Sequence, residues 1–292
     1  MLTTLINVIA PVFLIVALGY GWVRAGRGFD RQMAGEVVTY LGAPCLVFSQ
    51  LSVITLPEGT IGGLAGAAAV SVVTAGLVGS QILRVTGLDW RAFTPSLMIA
   101  NTGNMGLPVA FLAFGQEGLA FALVYFLTTL IINVSVTSLI IGHGETLRQQ
   151  LVLPAIYLPA ALGALAFSLS GAAPPAVLLN TTTILGGLAI PLMLLTLGAT
   201  IAALPLQKPG VSLGLAGMRF GLGLGGGLFG CALFGLAGTQ MAVVLLQSTM
   251  PVAVINFLFA HKFNRSPEGV ASLIVVSTLL GLITIPAVLV FV

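Results

Sequence analysis

Two groups of polar side chains interrupt apolar stretches of the sequence. The first is Asn101, Thr102 and Asn104, and the second is Gln247, Ser248, Thr249 and Asn256. Amides and hydroxyls can donate hydrogen bonds to a carboxylate, and their oxygen atoms can bind a cation. We therefore expect these residues to bind a small organic anion. A sodium ion near Thr102, Gln247 and Thr249 is a second candidate ligand, and no other cofactor is expected.

Helix-breaking residues accompany both polar groups. Gly103, Gly106 and Pro108 follow Asn101, and Pro251 lies within the second group. Glycine lowers helix preference and proline removes a backbone donor, so both segments are expected to unwind. Unwound backbone at membrane depth is tolerated where it is buried in protein or lines a cavity. Helix N-termini directed at such a cavity would attract an anion without a lysine. The alternative is that the polar side chains only join helices by hydrogen bonds.

The composition is that of a membrane protein. Of 292 residues, 58% are hydrophobic and 6% are charged, against about 25% charged residues in soluble domains. The basic residues are not clustered, which argues against nucleic-acid binding. No acidic residue lies in the middle of a predicted span, and no Gly-x-Ser-x-Gly motif is present. These features argue against a carboxylate proton relay and against an enzyme.

Apolar runs bounded by charges, Pro, Gly or Ser predict ten membrane helices. Their approximate ranges are 3–23, 34–54, 60–83, 93–114, 118–141, 150–170, 177–202, 212–235, 239–260 and 268–290. Every Lys and Arg except Arg219 lies in an odd-numbered loop. Short cytoplasmic loops are rich in these residues, so we expect a multi-pass protein of the cytoplasmic (inner) membrane with both termini outside the cytoplasm. Arg219, inside the eighth span, either snorkels to the interface or lines a cavity.

The two halves of the chain resemble each other weakly. Residues 41–48 match 188–195, each with a central proline, and residues 100–112 match 246–258. Five helices per half is an odd number, so the repeats 1–142 and 149–292 would be inverted. Inverted repeats with interrupted fourth and ninth helices are typical of secondary transporters. Chance similarity between apolar segments is the alternative.

The motifs around these interruptions resemble those of a known family. Asn101-Thr102, then Met105 to Pro108, then Pro251 and the run 256–264 are similar to the auxin efflux carrier family, whose plant branch is the PIN-FORMED auxin transporters. The resemblance implies a bile-acid-symporter-like, all-helical inverted-repeat fold, in which helices 4 and 9 cross at Pro108 and Pro251. It also implies a scaffold of helices 1, 2, 6 and 7 and a transport domain of helices 3, 4, 5, 8, 9 and 10. The substrate would be a carboxylate contacted by Asn101, such as malonate, malate or an auxin-like acid.

These observations predict a secondary transporter that carries a small organic anion by elevator-type alternating access. A cation/proton antiporter or a channel-like pathway on a similar fold is one alternative, and a membrane sensor that does not transport is another. The lipid bilayer is an expected partner. The Gly-rich eighth span permits close packing and is compatible with a homodimer.

Overall fold

The computed structural model describes residues 2–54, 57, 59–141, 152–207 and 209–292. Within these ranges the chain folds into α-helices. They are α1 (Leu2–Arg24), α2 (Arg31–Val37), α3 (Ala43–Leu51), α4 (Thr60–Val85), α5 (Trp90–Met98), α6 (Leu107–Ile141), α7 (Val152–Ser170), α8 (Ala176–Ile201), α9 (Pro209–Phe234), α10 (Gly238–Ser248), α11 (Ile255–Lys262) and α12 (Pro267–Phe291). Two π-helical turns, Val38–Gly42 and Thr102–Gly106, precede α3 and α6.

Six helical segments in this part of the chain are long and apolar enough to cross a membrane. They are Ile6–Arg24, Thr60–Val85, Thr102–Asn133, Ala176–Ile201, Pro209–Phe234 and Pro267–Phe291, and Ala155–Ser170 is a shorter apolar helix. Each coincides with predicted spans, because a length of about 20 apolar residues is a strong local signal. The fold is therefore the all-helical fold of an integral membrane protein.

Three predicted spans differ from simple helices. The second is divided by the π-helical turn Val38–Gly42, after which Pro44 lies in the first turn of α3. The fourth is broken before Thr102, and the ninth is broken between α10 and α11. The fourth and fifth spans are joined in α6, which bends sharply at Gly115 (φ 66°, ψ −153°). Only glycine adopts this backbone conformation without strain.

The helices pack as two groups. In the first, α1 packs against α8, and α3 packs against α7 and α8. In the second, α4 packs mainly against α9, and α12, α10 and α6 complete that group. Helices in lipid associate through close packing, which small residues permit. A Cβ at Gly198 of α8 would overlap the carbonyl oxygen of Val16, and one at Gly230 of α9 would lie 2.7 Å from that of Ala67.

The apolar core surrounds the middle of α6. Phe121, Leu123 and Tyr125 of this helix are almost fully buried. The polar residues 101–104 directly precede α6 along the chain, and the core holds this helix between the two groups. The core therefore holds the start of α6 close to the break in the ninth predicted span.

Candidate functional site

The breaks in the fourth and ninth predicted spans contact each other. Ala100 and Val252 form an isolated antiparallel β-bridge. The backbone N–H of Asn101 donates to the carbonyl of Pro251 over 2.8 Å, and that of Ala253 donates to the carbonyl of Ile99 over 3.1 Å. Each break therefore satisfies backbone groups that the other leaves without a helical partner, as buried backbone requires.

Two side chains reinforce this crossing. The Nδ2 amide of Asn256 donates to the carbonyls of Ile99 (3.1 Å) and Ala253 (3.0 Å), and so joins both breaks. The N–H of Val252 donates to Oγ of Ser277 on α12 over 3.1 Å. Asn256 thus has a positioning role at the crossing, with its Oδ1 atom buried and unpartnered among the described residues.

A cavity of about 200 Å³ opens beside the crossing. Both breaks contribute to it, residues 99–104 from one and residues 253–255 from the other. The remaining lining residues come from the π-helical turn before α3 and from α6 and α7, namely Thr39, Phe126, Thr129, Leu130, Asn133 and Tyr157. The cavity therefore lies between the two groups of helices.

Asn101 is the most distinctive residue of this cavity. Its side chain is only 3% exposed, and its Nδ2 atom has no hydrogen-bond partner among the described residues. An unpaired buried donor costs free energy unless a ligand or water satisfies it. Thr102 and Asn104 line the same cavity. Three predicted site residues are thus brought together here.

Two helices also begin at the cavity. The helical segment that leads into α6 starts at Thr102, and α11 starts at Ile255. The first N–H groups of a helix have no acceptor within that helix, and its N-terminus carries partial positive charge. The N–H groups of Met105 and Gly106 already bond to the carbonyl of Asn101. Residues 102–104, which come before them, line the cavity, whereas the N–H groups of Asn256 and Phe257 in α11 already bond to the carbonyls of Ala253 and Val254. This arrangement favours an anion.

The other predicted binding residues lie outside the cavity lining. Gln247 is fully buried, and both of its amide atoms lack a hydrogen-bond partner in the described part of the chain. Thr249 donates its hydroxyl hydrogen bond within its own helix, to the carbonyls of Leu245 (2.7 Å) and Leu246 (3.1 Å). Ser248 does the same to Leu245 over 3.1 Å.

The helix-breaking residues also fall into two sets, those at the cavity or the crossing and those away from both. Gly103 lines the cavity against Phe126, whose ring lies 3.1 Å from where a Cβ would be. Gly106 lies against Gln247 instead, because a Cβ there would overlap Oε1 and lie 2.8 Å from Cδ. Pro251 is at the crossing, whereas Pro108 lies in the first turn of α6, beyond the break. The unwound residues of the fourth span are therefore 99–101, which come before the segment that contains Gly103 and Gly106. They are unwound because their backbone groups bond to residues 251 and 253.

Sequence reasoning did not identify Thr39, Phe126 or Tyr157 as site residues. The rings of Phe126 and Tyr157 pack edge to face with centroids 5.6 Å apart. Both residues lie in apolar stretches, where an aromatic side chain carries no signal of function. Thr129 and Asn133 are polar residues within the fifth predicted span, and they are the local signal that could have indicated this side of the cavity.

The structure buries Arg219, which is 3% exposed. Snorkelling to the interface, one of the two expectations for this residue, is therefore wrong, because α9 turns this face toward the end of α10 and away from the surface. Arg219 also lies outside the lining of the cavity beside the crossing. The guanidinium lies beside the end of α10, because a Cβ at Gly223 would meet both the carbonyl oxygen of Ser248 and Nη1 of Arg219.

Comparison with known proteins agrees with this architecture. Residues 143–289, about half of the chain, match the family described as membrane transport protein. An uncharacterized transporter of Methanothermobacter thermautotrophicus is 28% identical over 295 residues, covering 95% of each chain. An uncharacterized transporter of Methanocaldococcus jannaschii is 24% identical and covers 96% of each. The resemblance found in the motifs is thus confirmed, and the chain belongs to the membrane transport protein family that includes the auxin efflux carriers.

Proposed function

We propose that this protein is a secondary transporter that moves a small organic carboxylate across the cytoplasmic membrane. The observation that carries the proposal is the unpartnered amide of Asn101 beside two helix N-termini at one cavity. Each of these groups supplies hydrogen-bond donors or partial positive charge, and a carboxylate supplies the matching acceptors.

The chemistry of the lining supports an anion over a cation. None of the described lining residues is acidic, and the five described acidic residues, Asp30, Glu36, Asp89, Glu117 and Glu268, are all exposed. A cation/proton antiporter would need a carboxylate within the membrane. A cavity of about 200 Å³ suits a compact acid such as malonate, malate or an auxin-like acid, since it is smaller than a drug-sized site.

The position of the cavity suggests how transport proceeds. Thr39 and Tyr157 come from the group of α1, α2, α3, α7 and α8, and Asn101 comes from the other group. In the proposed mechanism the first group is the scaffold, and the second moves past it as an elevator that carries the bound acid. Ten crossings form two inverted repeats, with the odd-numbered loops in the cytoplasm.

A sodium ion is a poor fit at the end of α10. Gln247 offers an amide oxygen, and Thr249 offers a hydroxyl oxygen whose hydrogen is donated to the carbonyl of Leu245. The guanidinium of Arg219 lies beside the same helix end, near the carbonyl of Ser248. A fixed positive charge at this place repels a second cation. The proposed carrier therefore works without sodium bound there.

Transport in proteoliposomes tests the proposal. Uptake of labelled malonate, malate, succinate and indole-3-acetate is measured with and without sodium, for wild type, Asn101→Ala and the control Asn180→Ala. Asn180 is an exposed residue of α8, so its substitution should leave transport unchanged. Loss of a hydrogen bond to a charged ligand is worth about 1.5–3 kcal/mol, so Asn101→Ala should weaken apparent affinity roughly 10- to 150-fold.

Three outcomes would contradict the proposal in different ways. Unchanged transport by Asn101→Ala would remove this cavity as the binding site. Binding of an acid without flux would favour a sensor. Cation flux without acid transport would favour an antiporter or a channel-like pathway. A sodium requirement in the wild type would reject only the sodium-free mechanism. Monodisperse elution of each variant in detergent shows that it is folded.

A further inference from the structure

Arg219 is a buried cation that no carboxylate neutralises within the described part of the chain. It is 3% exposed. The five described acidic residues are all exposed, and the one ion pair among the described residues, Asp89 with Arg265 at 3.9 Å, is at the surface. A buried charge without a counter-ion is strongly unfavourable, so its retention calls for another source of negative charge.

Part of that negative charge comes from α10. A Cβ at Gly223, one turn after Arg219, would overlap the carbonyl oxygen of Ser248 and lie 2.7 Å from Nη1 of Arg219. The guanidinium therefore lies beside the last residue of α10. The C-terminal end of a helix carries partial negative charge and favours a cation.

This neutralisation is incomplete. The Nε atom of Arg219 is buried without a hydrogen-bond partner among the described residues. A helix end supplies only about half of an elementary charge. The same break that begins at Ser248 ends at residues 253–255, which line the anion cavity. The cation and the cavity are therefore at the two ends of one short segment, within one group of helices.

We propose that Arg219 is the counter-charge of the transported anion and moves with it across the membrane. This inference rests on the proposed carrier function and adds a role for a residue outside the binding cavity. With a monovalent acid bound, the positive charge of Arg219 and the negative charge of the acid cancel. Without cargo, the moving group carries one positive charge.

The two halves of the transport cycle then respond differently to membrane potential. In exchange of labelled for unlabelled acid, only the loaded carrier moves, so a monovalent acid should exchange at a rate independent of voltage. A divalent acid leaves one negative charge on the loaded carrier, and its exchange should depend on voltage. Net uptake requires return of the empty carrier and should depend on voltage for both acids. One charge that crosses the whole field changes an equilibrium by up to about 50-fold per 100 mV.

Counterflow in proteoliposomes, with potassium and valinomycin to set the potential, measures this directly. The probes are indole-3-acetate, with one charge, and malonate, with two. Wild type and Arg219→Lys should exchange indole-3-acetate equally at 0 and ±100 mV. Arg219→Gln should make that exchange voltage-dependent, and should increase the voltage dependence of malonate exchange, because every loaded state gains one negative charge.

The possible results test the counter-charge role of Arg219 and the carrier function separately. Voltage-dependent exchange of indole-3-acetate by the wild type overturns the counter-charge, as does identical voltage dependence in wild type and Arg219→Gln. If Arg219→Gln does not fold, the comparison of the two acids on wild type and Arg219→Lys still decides. If only malonate is transported, its exchange must respond to voltage more strongly in Arg219→Gln than in Arg219→Lys or wild type. Absence of counterflow at 0 mV for every acid contradicts the carrier function itself.

Discussion

Asn101 and Pro251 are joined by a backbone hydrogen bond of 2.8 Å. The bond links two breaks that are 150 residues apart in the sequence and holds the side chain of Asn101 at the cavity. Pro251 has no N–H to donate, so its carbonyl is the hydrogen-bonding group that it contributes to this pairing. The same crossing thus stabilises the two broken spans and fixes the position of Asn101.

Removal of the Asn256 amide should destabilise the crossing. Asn256→Ala loses hydrogen bonds to Ile99 and Ala253. Interhelical hydrogen bonds in membranes contribute about 0.6 kcal/mol on average, and both carbonyls keep a backbone donor, the N–H of Ala253 for Ile99 and the N–H of Asn256 for Ala253, so we expect a loss of roughly 1 kcal/mol. Thermal unfolding in detergent should show a lower Tm than wild type, and Asn180→Ala should match wild type. A wild-type Tm for Asn256→Ala would contradict this role.

Gly106 should not tolerate a methyl group unless Gln247 is shortened. In Gly106→Ala the new Cβ would overlap the fully buried Gln247 amide. Overpacking of this kind typically costs about 1–3 kcal/mol. The double variant Gly106→Ala with Gln247→Ala should recover most of the lost Tm, as a double-mutant cycle would measure. Gly221→Ala on α9 is the control, because a Cβ there meets open space. Additive losses in the double variant would disprove the contact.

Phe126 should limit the size of the acid that binds. Its ring lines the cavity and packs edge to face on Tyr157 at 5.6 Å. Phe126→Ala enlarges the cavity, so uptake of indole-3-acetate relative to malonate should rise, by about 10-fold if the gain resembles that of a methylene or two in an apolar pocket. Competition between the two acids in proteoliposomes measures the ratio. Phe220→Ala, on α9 outside this cavity, should leave the ratio unchanged.

Loops at residues 28 and 172 should face opposite sides of the membrane. Both positions are exposed, and they lie in the first and sixth loops of the predicted order. In a variant without Cys45 and Cys231, Gly28→Cys should react with an impermeant maleimide only in inverted vesicles. Ala172→Cys should react only in intact spheroplasts, because the loop with three arginines stays in the cytoplasm. Labelling of both positions from one side would contradict the proposed orientation.

Local signals in the sequence determined much of the architecture. Apolar runs of about 20 residues identify membrane helices wherever they occur, because each polar residue in lipid adds its own unfavourable free energy, whatever its tertiary surroundings. Prolines, glycines and amides identified the two interrupted spans, and the sequence motifs identified the family. Asn101, Thr102 and Asn104 could be predicted to line a cavity because polar side chains accompany helix-breaking residues there, and all three line the cavity beside the crossing.

Tertiary structure decided the rest. Whether residues 99–101 or 103–108 unwind depends on the pairing with residues 251–253, which no local pattern contains. Helical rotation directs Gln247 toward Gly106 and away from the cavity, and helix packing brings Tyr157 to the cavity from the other group. Arg219 is buried because α9 packs that face on α10. These positions follow from long-range packing, whereas hydropathy and propensity act over one or two turns of a helix.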